Sequence, residues 1–295
     1  MKNNKISPLL FLVVMLLSPL PVLSQDSYQY TVSGAYSNTD YDGGAEMTML
    51  LGAFQLYTSP ISYLDGPYAE AGFLNRQSNV ALSIGTIELD ANIGVLTPSL
   101  EGTNLVVGFE YANQNRPFTF GVLYSQADAD DAVANVNLEF TIDALGIQLG
   151  YYLTNRSRLA FEYIQTDLEF FGNGNSLSKL ETDEFGLRFR NLTYLASGRF
   201  VGFSVGAAYI DNDADEQNTE FNLAADYYFD RTFSVGAGIG LNTGDDVDDE
   251  GATMNINASV FFSPIASIGV EYERFSADQA DNDEETLSLA FAMRF

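Results

Sequence analysis

Apolar side chains recur at every second position through most of this chain. That is the period of a strand, whose successive side chains point to opposite faces. The last segment shows it plainly: Leu287, Leu289, Phe291, Met293 and Phe295 share one parity, while Ser288, Ala290, Ala292 and Arg294 share the other. Turn residues separate such segments from residue 28 onward. The pattern predicts about fourteen strands, near 28–36, 46–57, 78–89, 104–113, 118–127, 139–153, 157–170, 183–194, 200–210, 219–229, 232–243, 252–262, 266–276 and 286–295. Tyr28, Tyr30, Val32 and Tyr36 form one apolar face, Leu105, Val107, Phe109 and Tyr111 a second, and Phe221, Leu223, Ala225, Tyr227 and Phe229 another. The strand at 46–57 is apolar on both parities, so its facing stays open.

A soluble sandwich would bury these faces in one another. A membrane barrel turns them toward lipid, and ~9–11 tilted residues suffice to cross. The connections favour the barrel. Every second one is short (114–117, 154–156, 195–199, 230–231, 263–265), and the others are longer (37–45, 90–103, 128–138, 171–182, 211–218, 244–251, 277–285). Charge segregates the same way. Arg116, Arg156, Arg199 and Arg231 sit in or beside short turns. The acids crowd the long loops: Asp128, Asp130 and Asp131; Asp211, Asp213, Asp215 and Glu216; Asp245, Asp246, Asp248, Asp249 and Glu250; Asp278, Asp281, Asp283, Glu284 and Glu285. Tyr111, Tyr124, Tyr163, Tyr194, Tyr209, Tyr227 and Phe229, near strand ends, suit interfacial girdles. The expected fold is therefore all-β: an antiparallel up-and-down transmembrane β-barrel of about fourteen strands, with twelve to sixteen compatible with the pattern.

One connection breaks the rhythm. Residues 58–77 stand where a short turn belongs, and Pro67 suits the first position of a short helix running through Leu74. Such a segment would cap the barrel's inner mouth or fold partly into the lumen; a strand count wrong by one hairpin is the other explanation.

Lys2 and Lys5 precede an apolar run from Leu9 to Leu17, followed by Val22-Leu23-Ser24. This reads as a secretory signal peptide, 1–24, ahead of a barrel domain, 25–295. The run is too short for a comfortable membrane helix. The chain has no Cys, His or Trp, which removes disulfides, thiol chemistry and the commonest general base and metal ligand. No catalytic set, metal site or cofactor is expected. Acidic residues outnumber basic ones 40 to 13, for a net charge of −27. Nucleic-acid binding, which needs a basic footprint, is excluded on that ground.

The terminal strand ending in Phe295 resembles the closing strand of Gram-negative outer-membrane barrels, whose last residues are read by the assembly machinery. The stretch SGAYSNTDYDG, then Ser59-Pro60, then GPYAEAGFLNRQSNV, within residues 28–90, resembles the putative general porin family. That resemblance implies a channel-forming protein of the outer membrane and carries over no functional residue. The expected activity is passive diffusion of small hydrophilic solutes with modest cation preference. A closed structural or surface-adhesive barrel is the alternative, and a channel for hydrophobic substrates or a barrel enzyme lacking His is a third reading. Membrane lipid and lipopolysaccharide and small hydrophilic solutes or cations are the expected partners, with a homo-oligomer left open.

Candidate lumen residues follow from parity. Arg158, Arg188, Arg190 and Arg294 fall on inward positions, with Glu162, Asp226, Glu271 and Glu273 as acidic counterparts. A guanidinium cannot face hydrocarbon cheaply, so these groups must meet water or a partner. Two readings stand: a constriction with opposed charges, or a structural network such as Arg188 with Glu162. Gly236, Gly238 and Gly240 share one inward parity, either to keep the pore open or to receive another segment, for which 58–77 is the candidate. Asp211-x-Asp213-x-Asp215 lacks the glycine and distal Glu of a calcium loop and reads as a solvated run. The assigned faces show no apolar patch pointing inward.

Overall fold

The computed structural model describes residues 27–63, 66–90, 99–133, 136–173, 175–213, 217–244, 250–277 and 283–295. The expected signal peptide lies outside them, as do Asp215, Glu216, Asp245, Asp246, Asp248, Asp249, Asp278 and Asp281. The strands are β1 (Ser27–Tyr41), β2 (Glu46–Ser62), β3 (Asn79–Asp90), β4 (Ser99–Asn113), β5 (Arg116–Val133), β6 (Val136–Thr154), β7 (Ser157–Gly172), β8 (Asn175–Tyr194), β9 (Phe200–Asn212), β10 (Gln217–Tyr228), β11 (Phe233–Gly244), β12 (Gly251–Ser263), β13 (Ala266–Ala277) and β14 (Glu284–Arg294). Each pairs antiparallel with its chain neighbours, and β1 pairs with β14, so the fourteen strands close a barrel. Closure leaves no strand edge unpaired. The closing register runs unbroken from Thr31–Arg294 to Tyr41–Glu284. Phe295 extends it: its carbonyl accepts from the amides of Gln29 (2.6 Å) and Tyr30 (3.0 Å), and its own amide donates to Tyr30 O at 2.9 Å.

The alternation decides what faces where. Large apolar side chains of one parity cover the outside, with Ile84 59%, Leu149 53% and Met254 64% exposed. Such exposure over the whole wall is untenable in water and suits a hydrocarbon surround. No helix among the described residues is long and apolar enough to cross a membrane.

Three details depart from the sequence pattern. First, 128–138 and 171–182 are not loops for most of their length. β5 runs to Val133 and β6 starts at Val136; β7 runs to Gly172 and β8 starts at Asn175. The twenty residues of β8 extend about 66 Å at ~3.3 Å each, against ~30 Å of hydrocarbon. Apolar alternation stops where lipid ends, but a ladder of backbone hydrogen bonds needs no apolar side chain to continue. Second, Tyr28 does not join Tyr30 on the outer face. The β1–β2 register shifts between them, and Tyr28 turns inward, 3% exposed, against Tyr57, Ile61 and Ala71. Third, β2 presents Phe54 and Leu56 outward, at 41% and 43% exposure, which leaves Met47, Met49 and Leu51 on the lumen parity.

Candidate functional site

Between β2 and β3 the chain runs across the end of the barrel that carries the short turns. Pro67, fully buried, leads into a 3-10 turn at Tyr68–Glu70, followed at once by α1, Ala71–Asn75. Arg76 closes α1 in the left-handed region (φ 49°). The segment folds as a plug because it is bonded on all sides. Tyr63 donates to Pro264 O in the β12–β13 turn at 2.6 Å. Arg231, in the β10–β11 turn, donates to Gly66 O (3.0 Å) and Tyr63 O (3.1 Å), and the Tyr68 amide returns a bond to Arg231 O (2.9 Å). Arg294 donates to Tyr68 O at 2.8 Å. Arg76 donates to Thr154 O (2.6 Å) and Asn155 (3.0 Å) in the β6–β7 turn and lies 4.0 Å over the Tyr152 ring. Phe73 and Leu74 pack on Leu192, Phe200 and Tyr228 from β8, β9 and β10.

At the centre is Glu70, 3% exposed. Its carboxylate accepts both bonds of one Arg190 nitrogen, at 2.7 and 2.8 Å, and one from the Tyr228 hydroxyl at 2.6 Å. A buried charge costs several kcal/mol unless it is paired and fully bonded. Here three bonds from two strands meet that requirement, and they tie the plug to the wall. A cavity of about 320 Å³ remains between the plug and the β1–β8 side, lined by Gln55, Asn79, Glu110, Tyr152, Arg158 and Gln77 among others.

The eight parity-derived residues fall into three places. Arg158 pairs with Glu110 at 2.9 Å and also donates to Gln148, which in turn donates to Glu162 at 2.6 Å. Arg190 and Arg294 are held by the plug. Arg188 is 57% exposed, with its guanidinium 3.8 Å from Glu162. Asp226, Glu271 and Glu273 lie on the opposite wall: Asp226 registers across β11 with Gly236, which registers with Asn257, and Asn257 registers with Glu271. Glu70, Glu110 and Gln148 escaped the sequence reading. Glu110 and Gln148 were visible as polar members of alternating segments, but nothing local marks them as partners of Arg158. Glu70 sits in the one segment whose placement the period could not give.

The β11 glycines answer to a different neighbour from either expected. A Cβ on Gly236 would collide with the Asp226 carboxylate and come within 2.6 Å of Asn257 Nδ2; one on Gly238 would come within 2.7 Å of Asn255 Oδ1. Polar side chains of β10 and β12 lie across this strand, and only glycine leaves them room. None of the atoms nearest these glycines belongs to the described residues of 58–77.

The inner wall also carries an apolar patch that the assigned faces did not show. Ala81, Gly108, Leu123, Gly146 and Ile164 register side by side across β3 to β7, immediately beyond Glu110, Gln148 and Glu162. Leu123 is 38% exposed there. The reading missed it because each strand contributes only one or two such residues, on the parity classed as polar.

A family model described as putative general bacterial porin matches residues 4–295. No curated protein matches. Among solved structures, the Acinetobacter baumannii outer membrane protein Omp33 is similar at 17% identity, with 92% of this chain and 99% of that one covered and a TM-score of 0.60. A Pseudomonas aeruginosa FadL homologue is similar at 10% identity (92% and 91% covered, TM-score 0.54), and a deletion mutant of the monoaromatic hydrocarbon channel TodX at 12% (92% and 91%, TM-score 0.52). At these identities the likeness is one of fold alone.

Proposed function

From the premise that the chain belongs to the putative general bacterial porin family, we propose that it admits small hydrophilic solutes by passive diffusion, with a modest preference for cations. Family membership makes it a bacterial outer-membrane channel protein and not an enzyme. One observation carries the finer reading: most lumen guanidiniums are already spent. Arg158 is held by Glu110, Arg190 by Glu70, and Arg294 by a plug carbonyl. Among the described residues, Glu220, Glu271 and Glu273 have no Lys or Arg within ion-pair distance, and of the four inward arginines only Arg188 stands mostly exposed. The vestibule above the plug is therefore net acidic, as is the rim beyond it. Such a field concentrates cations over a range of about 8 Å at physiological salt. The basic plug region tempers the bias, so selectivity is weak rather than absolute. Arg188 and Glu162 are assigned to the wall of this vestibule, and the plug end to the periplasmic side.

Planar-bilayer recordings in a potassium chloride gradient test this. Discrete conductance steps with a cation-favouring reversal potential support it; an anion-favouring potential overturns it. The plug itself favours a second reading. With its Glu70 latch closed on Arg190 and Tyr228, the barrel would serve as a structural or surface-exposed protein, and the same recordings would be silent.

A further inference from the structure

The two halves of the lumen differ in chemistry. From β3 to β7 the row Ala81, Gly108, Leu123, Gly146, Ile164 carries no polar side chain; the rows registered beyond it mix apolar residues such as Val106 and Ile142 with the small polar Ser83, Ser125 and Thr166. On β10 to β13 the inward positions include Asn222, Asp226, Asn255, Asn257, Glu271 and Glu273, with glycines between them, while the inward arginines of the β8–β14 arc, Arg188, Arg190 and Arg294, lie outside those four strands. In a closed ring of fourteen strands β12 stands opposite β5, so the acids of β10–β13 face the apolar row across the lumen. A bare metal cation gains from the acidic wall alone. A solute that also offers apolar surface removes water from Leu123 and Ile164 as it passes, and that gain scales with the area covered.

We propose that the vestibule selects amphipathic organic cations: primary amines on an aliphatic or aromatic body, with the body on the β3–β7 wall and the ammonium toward the acids of β10–β13. This rests on the channel reading above and names its preferred solute class. The charge complementarity fixes the sign of the head group. A carboxylate on the same body meets Glu271 and Glu273, whereas a neutral alcohol gains nothing from them.

The test compares n-butylammonium with 3-hydroxypropylammonium, a cation of the same charge and nearly the same size, in bi-ionic reversal-potential measurements on the purified protein. Butylammonium should be the more permeant by about threefold or more, the worth of roughly one methylene contact. Butyrate should be less permeant than either. Ile164→Asn, or Leu123→Ser should the first fail to fold, removes the butylammonium advantage. Glu271→Gln with Glu273→Gln lowers the permeability of both ammonium ions relative to chloride. A cation-preferring channel that treats the two ammonium ions alike, or passes butyrate as readily as butylammonium, overturns this proposal and leaves the porin reading standing. Absence of any conductance overturns both.

Discussion

Glu70 and Arg190 meet at 2.7 Å although 120 residues separate them in the chain. One lies in the plug and the other on the barrel wall, so this pair joins the irregular segment to the regular one. Arg190→Ala removes two of the three bonds on a buried carboxylate. The expected loss is about 2 kcal/mol, below the buried-pair range because Arg190 is half exposed and Tyr228 keeps its bond. Thermal unfolding in detergent measures it. Glu70→Ala, which leaves the latch without its centre, should raise single-channel conductance or open-state noise; unchanged recordings would mean that the plug holds without it.

The β11 glycines make a stability prediction of a different kind. Gly236→Ala drives a methyl into Asp226 and Asn257, and overpacking of this sort costs about 1–3 kcal/mol. Gly238→Ala should be relieved by Asn255→Ala, because its nearest atoms all belong to that one side chain. Denaturant midpoints of the two single variants and the double variant decide it, and simple additivity would count against the contact.

Tyr63 gives the plug a dependence on alkaline pH. Burial pushes its phenol up from 10.0 to about 12, although Arg294 nearby pulls the other way. The neutral phenol donates to Pro264 O, which the phenolate cannot do. A folded value above the unfolded one means the contribution is whole below pH 10 and is lost as pH climbs through about 12. Absorbance at phenolate wavelengths, compared between the wild type and Tyr63→Phe, should show one tyrosine ionising late. The difference between the two titrations should amount to one late-ionising phenol, and any plug loosening tied to it should be absent from the Phe variant.

Phe295 closes the barrel through its backbone and stacks its ring on Tyr30 with centroids 5.2 Å apart. Phe295→Ala keeps the backbone bonds and should cost about 0.5–1.5 kcal/mol for the ring pair. Deleting the residue also removes the amide and carbonyl that pair with Tyr30 and Gln29, so the folded fraction on a heat-modifiability gel should fall further than with the alanine variant.

Lumen residues and outward residues differ in how far local pattern reaches. Leu105, Phe120 and Leu223 reveal their facing through neighbours two positions away, and turn length and charge reveal which strand ends share a rim. Arg158, Arg188, Arg190 and Arg294 could be placed inward by the same parity. Glu162 could be named beside Arg188 because the two lie on adjacent strands; the partners of Arg158 and Arg190 could not, because Glu110 lies three strands away from Arg158 through the wall and Glu70 belongs to the irregular plug.

The amino-acid sequence by itself determined the fourteen strands, their antiparallel order and their greasy outer surface. Each of these follows from a two-residue period and the turns that interrupt it, which are local properties. Only the tertiary structure decided that residues 66–76 lie across one mouth, that Tyr28 turns inward, that polar side chains overlie Gly236 and Gly238, and that an apolar row on β3–β7 stands opposite the acids of β10–β13. Those features depend on which strands curve round to face each other, and barrel closure sets that through register summed over every strand.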